Sequence, residues 1–164
     1  MLTAAAGAAA VTALAMTLIW PPRPLLVWNA SASSPVGLYV VGPPDAVVVG
    51  DMVVAWPPEG ARLLGAARRY LPGNVSLVKR VAAAAGDRVC AAGEALYVNG
   101  RLATLRQGSD PSGRLLPWWT GCATLTTGQL LLLTPDAPEA FDGRYFGITQ
   151  RSEVVGRARL LWRA

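Results

Sequence analysis

Beyond residue 24 this chain is cut into short apolar runs by Gly-Pro-Pro, Gly-Asp, Asn-Gly and Asp-Gly, and that punctuation leaves room for little except strands. The runs are Leu38–Val41, Ala46–Val49, Met52–Trp56, Ser76–Val81, Arg88–Cys90, Ala95–Val98, Leu130–Leu133 and Val154–Leu161. Each suits a strand and is too short for a packed helix, so the expected domain is mainly β and mostly antiparallel. Tyr97–Leu102 reads as a hairpin around Asn99-Gly100, because a type I′ turn needs two residues at positive φ. Ala61–Tyr70 is the one stretch that fits a short helix. Residues 103–121 read as a loop-rich insertion inside a small cap of about 91–126.

The opening of the chain obeys another rule. Residues 1–22 carry no charged side chain, and Leu2 to Trp20 is a run of 19 apolar or small residues. As a helix that run spans roughly 28 Å, close to the bilayer core of about 30 Å. Pro21, Pro22 and Pro24 end it, and Trp20 and Trp28 stand where interfacial aromatics belong. Residues 1–22 therefore read as a transmembrane anchor. A cleaved signal would use Ala30-Ser31-Ala32 but lacks a basic n-region, and a buried core helix would carry some polar interruption. Anchor and signal both place residues 23–164 outside the cytoplasm.

Composition then narrows the chemistry. The 164 residues include no histidine, which removes the Ser-His-Asp triad, the Cys-His dyad and any imidazole zinc site. The formal net charge of +5 comes from fourteen Arg and one Lys against ten acidic residues. GC-rich coding accounts for the arginines, but lysine chemistry is confined to Lys79. No cofactor or metal is implied. The arginines are scattered with no basic-aromatic run, so nucleic acid is not an expected partner. The basic balance fits a domain lying on anionic membrane lipid, with at least two of Trp56, Trp118, Trp119 and Trp162 expected in the core. Cys90 and Cys122 would pair in an oxidising compartment or remain two buried thiols.

Without histidine a hydrolase needs another base, and serine with lysine is an attested pairing. Such a lysine must be neutral, so its pKa has to fall from about 10.4, which burial among apolar neighbours achieves. Lys79 lies in Ser76-Leu77-Val78-Lys79-Arg80-Val81, where strand alternation puts Leu77, Lys79 and Val81 on one face and Arg80 on the other. The alternative is a lysine that snorkels to water. The candidate nucleophile follows the apolar segment. In an extended chain Ser31 and Ser33 share a face, so that one attacks while the other donates to the oxyanion. The plain alternative is a serine-rich linker.

The pattern Asn29-x-Ser31-x-Ser33-x-Pro35-x-Gly37-x-Tyr39 resembles the nucleophile box of the signal peptidase I family, and most of all its conjugative-transfer branch, called TraF. Gly50-Asp51-Met52-Val53-Val54 is similar to that family's Gly-Asp-x-Val-Val strand. Leu77–Val81 with Gly86–Val89 is similar to its lysine box, and Phe141–Gly147 to its Asp-x-Arg-x-x-Gly box. Four boxes in order behind one apolar segment extend the resemblance from about residue 2 to residue 161.

The resemblance implies a signal-peptidase-like antiparallel β core with a small cap. It implies Ser33 as nucleophile and Lys79 as general base. The Ser33 backbone N–H, helped by the Ser31 hydroxyl, would form the oxyanion hole, and Asp142 and Arg144 would pair beneath the lysine strand. It further implies a single-pass serine endopeptidase of the bacterial inner membrane, with its catalytic domain in the periplasm. Its partners would be preprotein or prepilin substrates cut after Ala-x-Ala-like sequences in small apolar pockets. In the TraF branch an internal amine can replace water and close a pilin into a ring. A housekeeping signal peptidase I and a non-catalytic, membrane-tethered β scaffold subunit are the other readings. Two positions depart from the pattern. Ala140 stands where the family often has a serine that bonds the lysine, which would leave Lys79 differently oriented. Ser34 adds a second hydroxyl beside Ser33.

Overall fold

The computed structural model of the chain describes residues 2–19, 22–45 and 47–164. The chain opens with helix α1 (Leu2–Ile19), 18 residues with no acidic residue in its first turn and no basic one in its last. Among the described residues no helix is long and apolar enough to cross a membrane, so the anchor stays an expectation. Trp20 and Pro21, expected at the helix end, lie outside the described residues.

The rest is strands with two short helices. In order they are β1 (Leu26–Asn29), β2 (Gly37–Val41), β3 (Met52–Ala55), α2 (Glu59–Ala67), β4 (Leu77–Ala83), β5 (Arg88–Ala92), β6 (Ala95–Val98) and β7 (Arg101–Leu105). Then come β8 (Gly121–Thr124), β9 (Gln129–Leu133), α3 (Gly143–Phe146), β10 (Ile148–Gln150) and β11 (Val154–Arg163). They form a seven-stranded sheet, β1-β2-β11-β3-β4-β9-β10, and a four-stranded sheet, β7-β6-β5-β8. Every pairing is antiparallel, as the short runs and tight turns require. The small sheet is the cap. It is inserted between β4 and β9, which are themselves paired, and its strands run over 88–124 rather than 91–126. The β6–β7 hairpin turns at Asn99 and Gly100, with φ of 51° and 77°, as the Asn-Gly signal predicts.

β11 is the corner of the large sheet. Its first half pairs with β3 and its second half with β2, and each pairing carries a register shift. Such irregularities bend a strand and increase its twist. The chains come so close here that a Cβ added to Gly156 would run into the Gly42 carbonyl oxygen. The bend lets the sheet curl, so that the β1–β2 loop reaches β4 across β11 and β3. β3 lies inside the curl. Val53 packs with Val81 and Leu132, Val54 packs with Tyr39, Val78 and Ala158, and both valines are fully buried. A third cluster, built round Val89, Leu96, Leu131 and Leu133, joins the cap to the large sheet.

Two expectations fail. Ala46–Val49 is not a strand: Val47 and Val48 are loop, Val49 begins a turn, and Ala46 lies outside the described residues. The Val48 N–H goes to the Asp51 carboxylate instead of to a ladder, Val47 is buried in the core, and Val48 is exposed. Fewer tryptophans than expected meet the core, although Trp119 packs against the cluster round Val89 and Leu133. Trp56 and Trp119 are half-buried, while Trp118 and Trp162 are exposed. Trp118 gains its partner from the Arg106 guanidinium, 4.4 Å from the ring centroid, and Trp162 from Trp28, with centroids 5.8 Å apart.

Gly143 lets α3 sit directly on β9, since an added Cβ would lie 2.7 Å from the Leu132 carbonyl oxygen and 2.9 Å from Leu131 Cδ1. Gly143→Ala is therefore expected to destabilise the fold by about 1–3 kcal/mol. A urea midpoint equal to that of the unaltered protein would contradict this packing.

Candidate active site

The β1–β2 loop, residues 30–36, is a folded turn rather than an extended strand. Asn29 builds it. Its Nδ2 group donates to the carbonyl oxygens of Ser31 (2.9 Å), Ser34 (3.1 Å) and Pro35 (3.1 Å), and its Oδ1 accepts from the Ser31 N–H at 3.2 Å. Tyr39 adds a bond from its hydroxyl to the Pro35 carbonyl at 2.8 Å. Ser34 then pins the turn to β4, donating from a buried Oγ to the Val78 carbonyl at 2.7 Å. That bond turns the next residue back, Ser33, toward the side chain that follows Val78. Ser31 and Ser33 do come together, with 2.9 Å between their hydroxyl oxygens. The turn brings them there, not the alternation of an extended chain.

Lys79 Nζ donates to Ser33 Oγ at 2.7 Å. Its residue is 2% exposed, between buried Val78 and Val81, while Arg80 points to solvent. So β4 is covered on both faces at Lys79 and opens only at Arg80. The Lys79 pKa falls from 10.5 to about 8, chiefly through burial, with the Asp142 carboxylate opposing the shift and the Arg144 guanidinium adding to it. Ala140 borders the same cleft and is buried without offering a hydroxyl, and Lys79 is turned to Ser33 all the same.

Asp142 and Arg144 are both fully buried and form an ion pair, Nε to Oδ1 at 2.9 Å. Asp142 caps α3 by accepting from the Arg144 N–H, and it also accepts from the Thr134 N–H at 2.8 Å. The guanidinium spends its remaining donors on Asp142 Oδ2 and on the carbonyl oxygens of Thr134, Pro138 and Leu105. No N–H of the guanidinium is left over, which is what a buried charge needs. Leu105 belongs to the cap and Thr134 follows β9, so Arg144 ties the two sheets together. Cys90 and Cys122 sit opposite each other on β5 and β8 and are joined by a disulfide, away from Ser33 within the cap sheet.

Ser31, Ser33 and Lys79 open on a cleft of about 700 Å³. Val27, Leu71, Val75 and Leu77 give it mainly apolar walls, and Tyr70, Gln107, Asp110 and Glu139 also line it. Asn29 stands in the serine motif without an expected task, and Tyr70 and Asp110 are not among the expected site residues. An Asn two residues before a serine is the Asx-turn signal that could have found the first. The other two are far apart in sequence and carried no signal.

A family model described as Signal peptidase, peptidase S26 matches residues 1–163. Two proteins called plasmid transfer protein TraF, from Escherichia coli, are similar in sequence. One is 36% identical over 139 residues, covering 77% of this chain and 77% of that protein. The other is 33% identical over 142 residues, covering 84% and 76%. A crystal structure of a signal peptidase I from Enterococcus faecalis V583 aligns with a TM-score of 0.40 at 18% identity, covering 69% of this chain and 97% of that one.

A lysine held at about 8 destabilises the folded state wherever it is charged. The unfolded chain keeps its proton to about pH 10.4, so stability rises with pH between the two values. Lys79→Met is expected to be more stable than the unaltered protein at pH 7, by up to about 3 kcal/mol. That advantage should shrink as the pH rises through 8 and beyond, in urea unfolding. An advantage that does not change with pH would contradict the depressed pKa.

Proposed function

The chain belongs to the signal peptidase family, peptidase S26, as a TraF-like serine peptidase, and we propose that it works through a dyad of Ser33 and Lys79. The observation that carries this reading is the 2.7 Å bond from the only lysine in the chain, buried, to a serine hydroxyl. In the charged form that bond runs from nitrogen to oxygen. Once Lys79 is neutral its lone pair accepts the Ser33 proton instead.

Ser33 Oγ then attacks the substrate carbonyl carbon, and the carbonyl electrons move to oxygen. The Ser33 N–H and the Ser31 hydroxyl are the donors for that oxyanion; oxyanion donors elsewhere contribute about 3–4 kcal/mol each. In the free protein the Ser33 N–H makes only a 3.4 Å bond to Ser31 Oγ, which a substrate oxygen can replace. The Lys79 ammonium protonates the leaving amine. Water, or an internal amine, next attacks the acyl carbon and gives its proton to Lys79, which passes it to Ser33 Oγ as the bond between Ser33 and the acyl group breaks. Ser34 has no part in this, because its hydroxyl is buried against Val78.

The two relatives are plasmid transfer proteins, which supports a conjugative pilin precursor as the substrate, cut after a small residue. Residues 1–22 are the anchor in this reading, with residues 23–164 in the periplasm. Three observations support it: the charge-free α1, the disulfide, and the exposed Trp28–Trp162 pair beside exposed Leu25, Leu26 and Leu161. Those side chains lie at the β1–β11 end of the sheet, just after α1, where a domain tethered by that helix would meet lipid.

Detergent-solubilised protein should cleave an Ala-x-Ala prepilin peptide with a rate that rises with pH and levels off above about 8, as Lys79 loses its proton. Ser33→Ala and Lys79→Ala should each abolish cleavage, and Ser34→Ala should retain part of it. Lys79→Arg should fail as well, because a guanidinium does not deprotonate. Cleavage that survives Ser33→Ala or Lys79→Arg would sink the dyad, and no cleavage by the unaltered protein would favour the scaffold reading. Product mass separates hydrolysis from ring closure, since the cyclic product is one water lighter.

A further inference from the structure

The cleft is not built by the seven-stranded sheet alone. One stretch of its wall follows α2 and includes Tyr70, Leu71 and Val75; another is the cap loop, through Asp110, Pro111 and Leu116. These two stretches are 40 residues apart at Tyr70 and Asp110, and they are held together round one carboxylate.

Asp110 is 7% exposed, although it lies on a loop. Its Oδ2 accepts from the Tyr70 hydroxyl at 2.6 Å and from Arg114 Nε at 2.7 Å. Its Oδ1 accepts from the N–H groups of Ser112 and Arg114, each at 2.9 Å. Arg114 crosses the seam a second time, with its guanidinium 5.5 Å from the Tyr70 ring centroid and Nη2 donating to the Arg68 carbonyl at 3.2 Å. Arg68 returns a bond from Nη1 to the Leu115 carbonyl at 2.7 Å. A loop that only covered a core would not need a buried carboxylate with four donors aimed at it. None of these bonds reaches Ser33 or Lys79.

We propose that Tyr70, Asp110 and Arg114 form a clasp that holds the cap loop 106–116 as a preset wall of the substrate cleft. This inference rests on the peptidase reading above and adds which part of the chain selects the substrate. Leu116 lines the same cleft as Leu71 and Val75, so the clasped wall would grip apolar side chains of the peptide beyond the residues that flank the scissile bond. Presetting the wall spares the substrate the entropy of ordering a loop, so the clasp acts on binding and leaves the chemistry at Ser33 untouched. The three are positioning residues, and their signature is a change in KM without a change in kcat.

The test uses the full-length protein in detergent with Tyr70→Phe and Asp110→Asn. Each variant is assayed on a long prepilin peptide and on a short one that retains only the residues around the cleavage point. Binding of the long peptide is also measured by fluorescence anisotropy in a Ser33→Ala background. KM and Kd for the long peptide are expected to rise about tenfold, the loss typical of one hydrogen bond to a charged group, with kcat within about twofold. The short peptide should lose several-fold less than the long one. An unchanged Kd for the long peptide overturns the proposal, and so does a fall in kcat that is equal for both peptides. Tyr70→Phe keeps the ring against Phe141, at 5.2 Å between centroids, so it carries the test if Asp110→Asn does not fold. If the unaltered protein binds peptide and cleaves none, the peptidase reading fails while the binding arm still decides the clasp. If it binds no peptide at all, the clasp proposal falls too.

Discussion

The contact between a buried lysine ammonium and a serine hydroxyl is the interaction round which the rest of this structure is arranged. A charge on β4 that is 2% exposed is unfavourable, and the fold has to hold it there. Val78 and Val81 bury its strand on both sides, and the curl of the large sheet at β11 brings the β1–β2 loop across to meet it. Asn29 and Ser34 then lock that loop, with Ser34 bonded to the backbone one residue before Lys79. The neighbouring hydroxyls thus have separate tasks. Ser34 fastens, and Ser33 is left as the one that meets the lysine.

The Asp142–Arg144 pair is the second buried charge system, and it solves its problem differently. Every N–H of the guanidinium has an acceptor, and the carboxylate caps α3 as well as pairing. Removing either partner would leave the other charge buried alone, a change that typically costs about 3–5 kcal/mol. The pair also reaches Lys79 through space, with the carboxylate favouring its charged form and the guanidinium opposing it. Because Arg144 bonds Leu105 of the cap and Thr134 beside β9, the electrostatics at Lys79 depend on how the two sheets sit together. The cap is thereby more than an insertion, since it shares a core cluster, a buried arginine and a cleft wall with the large sheet.

Much of this was legible in the sequence, for reasons that differ from residue to residue. Turn chemistry located the β6–β7 hairpin, because Asn-Gly has few alternatives. Apolar runs located β3, β4, β9 and β11, whose partners all lie within the sheet. The absence of histidine points to Lys79, and the resemblance to the family's Ser-x-Pro spacing points to Ser33. Three kinds of feature were not legible. β1, β8 and β10 are short edge strands whose existence depends on a neighbour, not on their own pattern. The Val47–Val49 run was captured by the Asp51 carboxylate, a local competition that apolar periodicity cannot express. The seam between Tyr70 and Asp110 is a long-range contact between polar residues, and nothing in either neighbourhood predicts the other.

A direct measurement follows from the chain having only one lysine. Protein grown with lysine labelled at the ε-carbon gives one resonance, and its shift reports the protonation of Lys79 against pH. The midpoint is expected near 8, moved there chiefly by burial. A midpoint at or above about 10, the value of a free lysine, would mean that Lys79 stays charged at working pH, and it would contradict its role as the base.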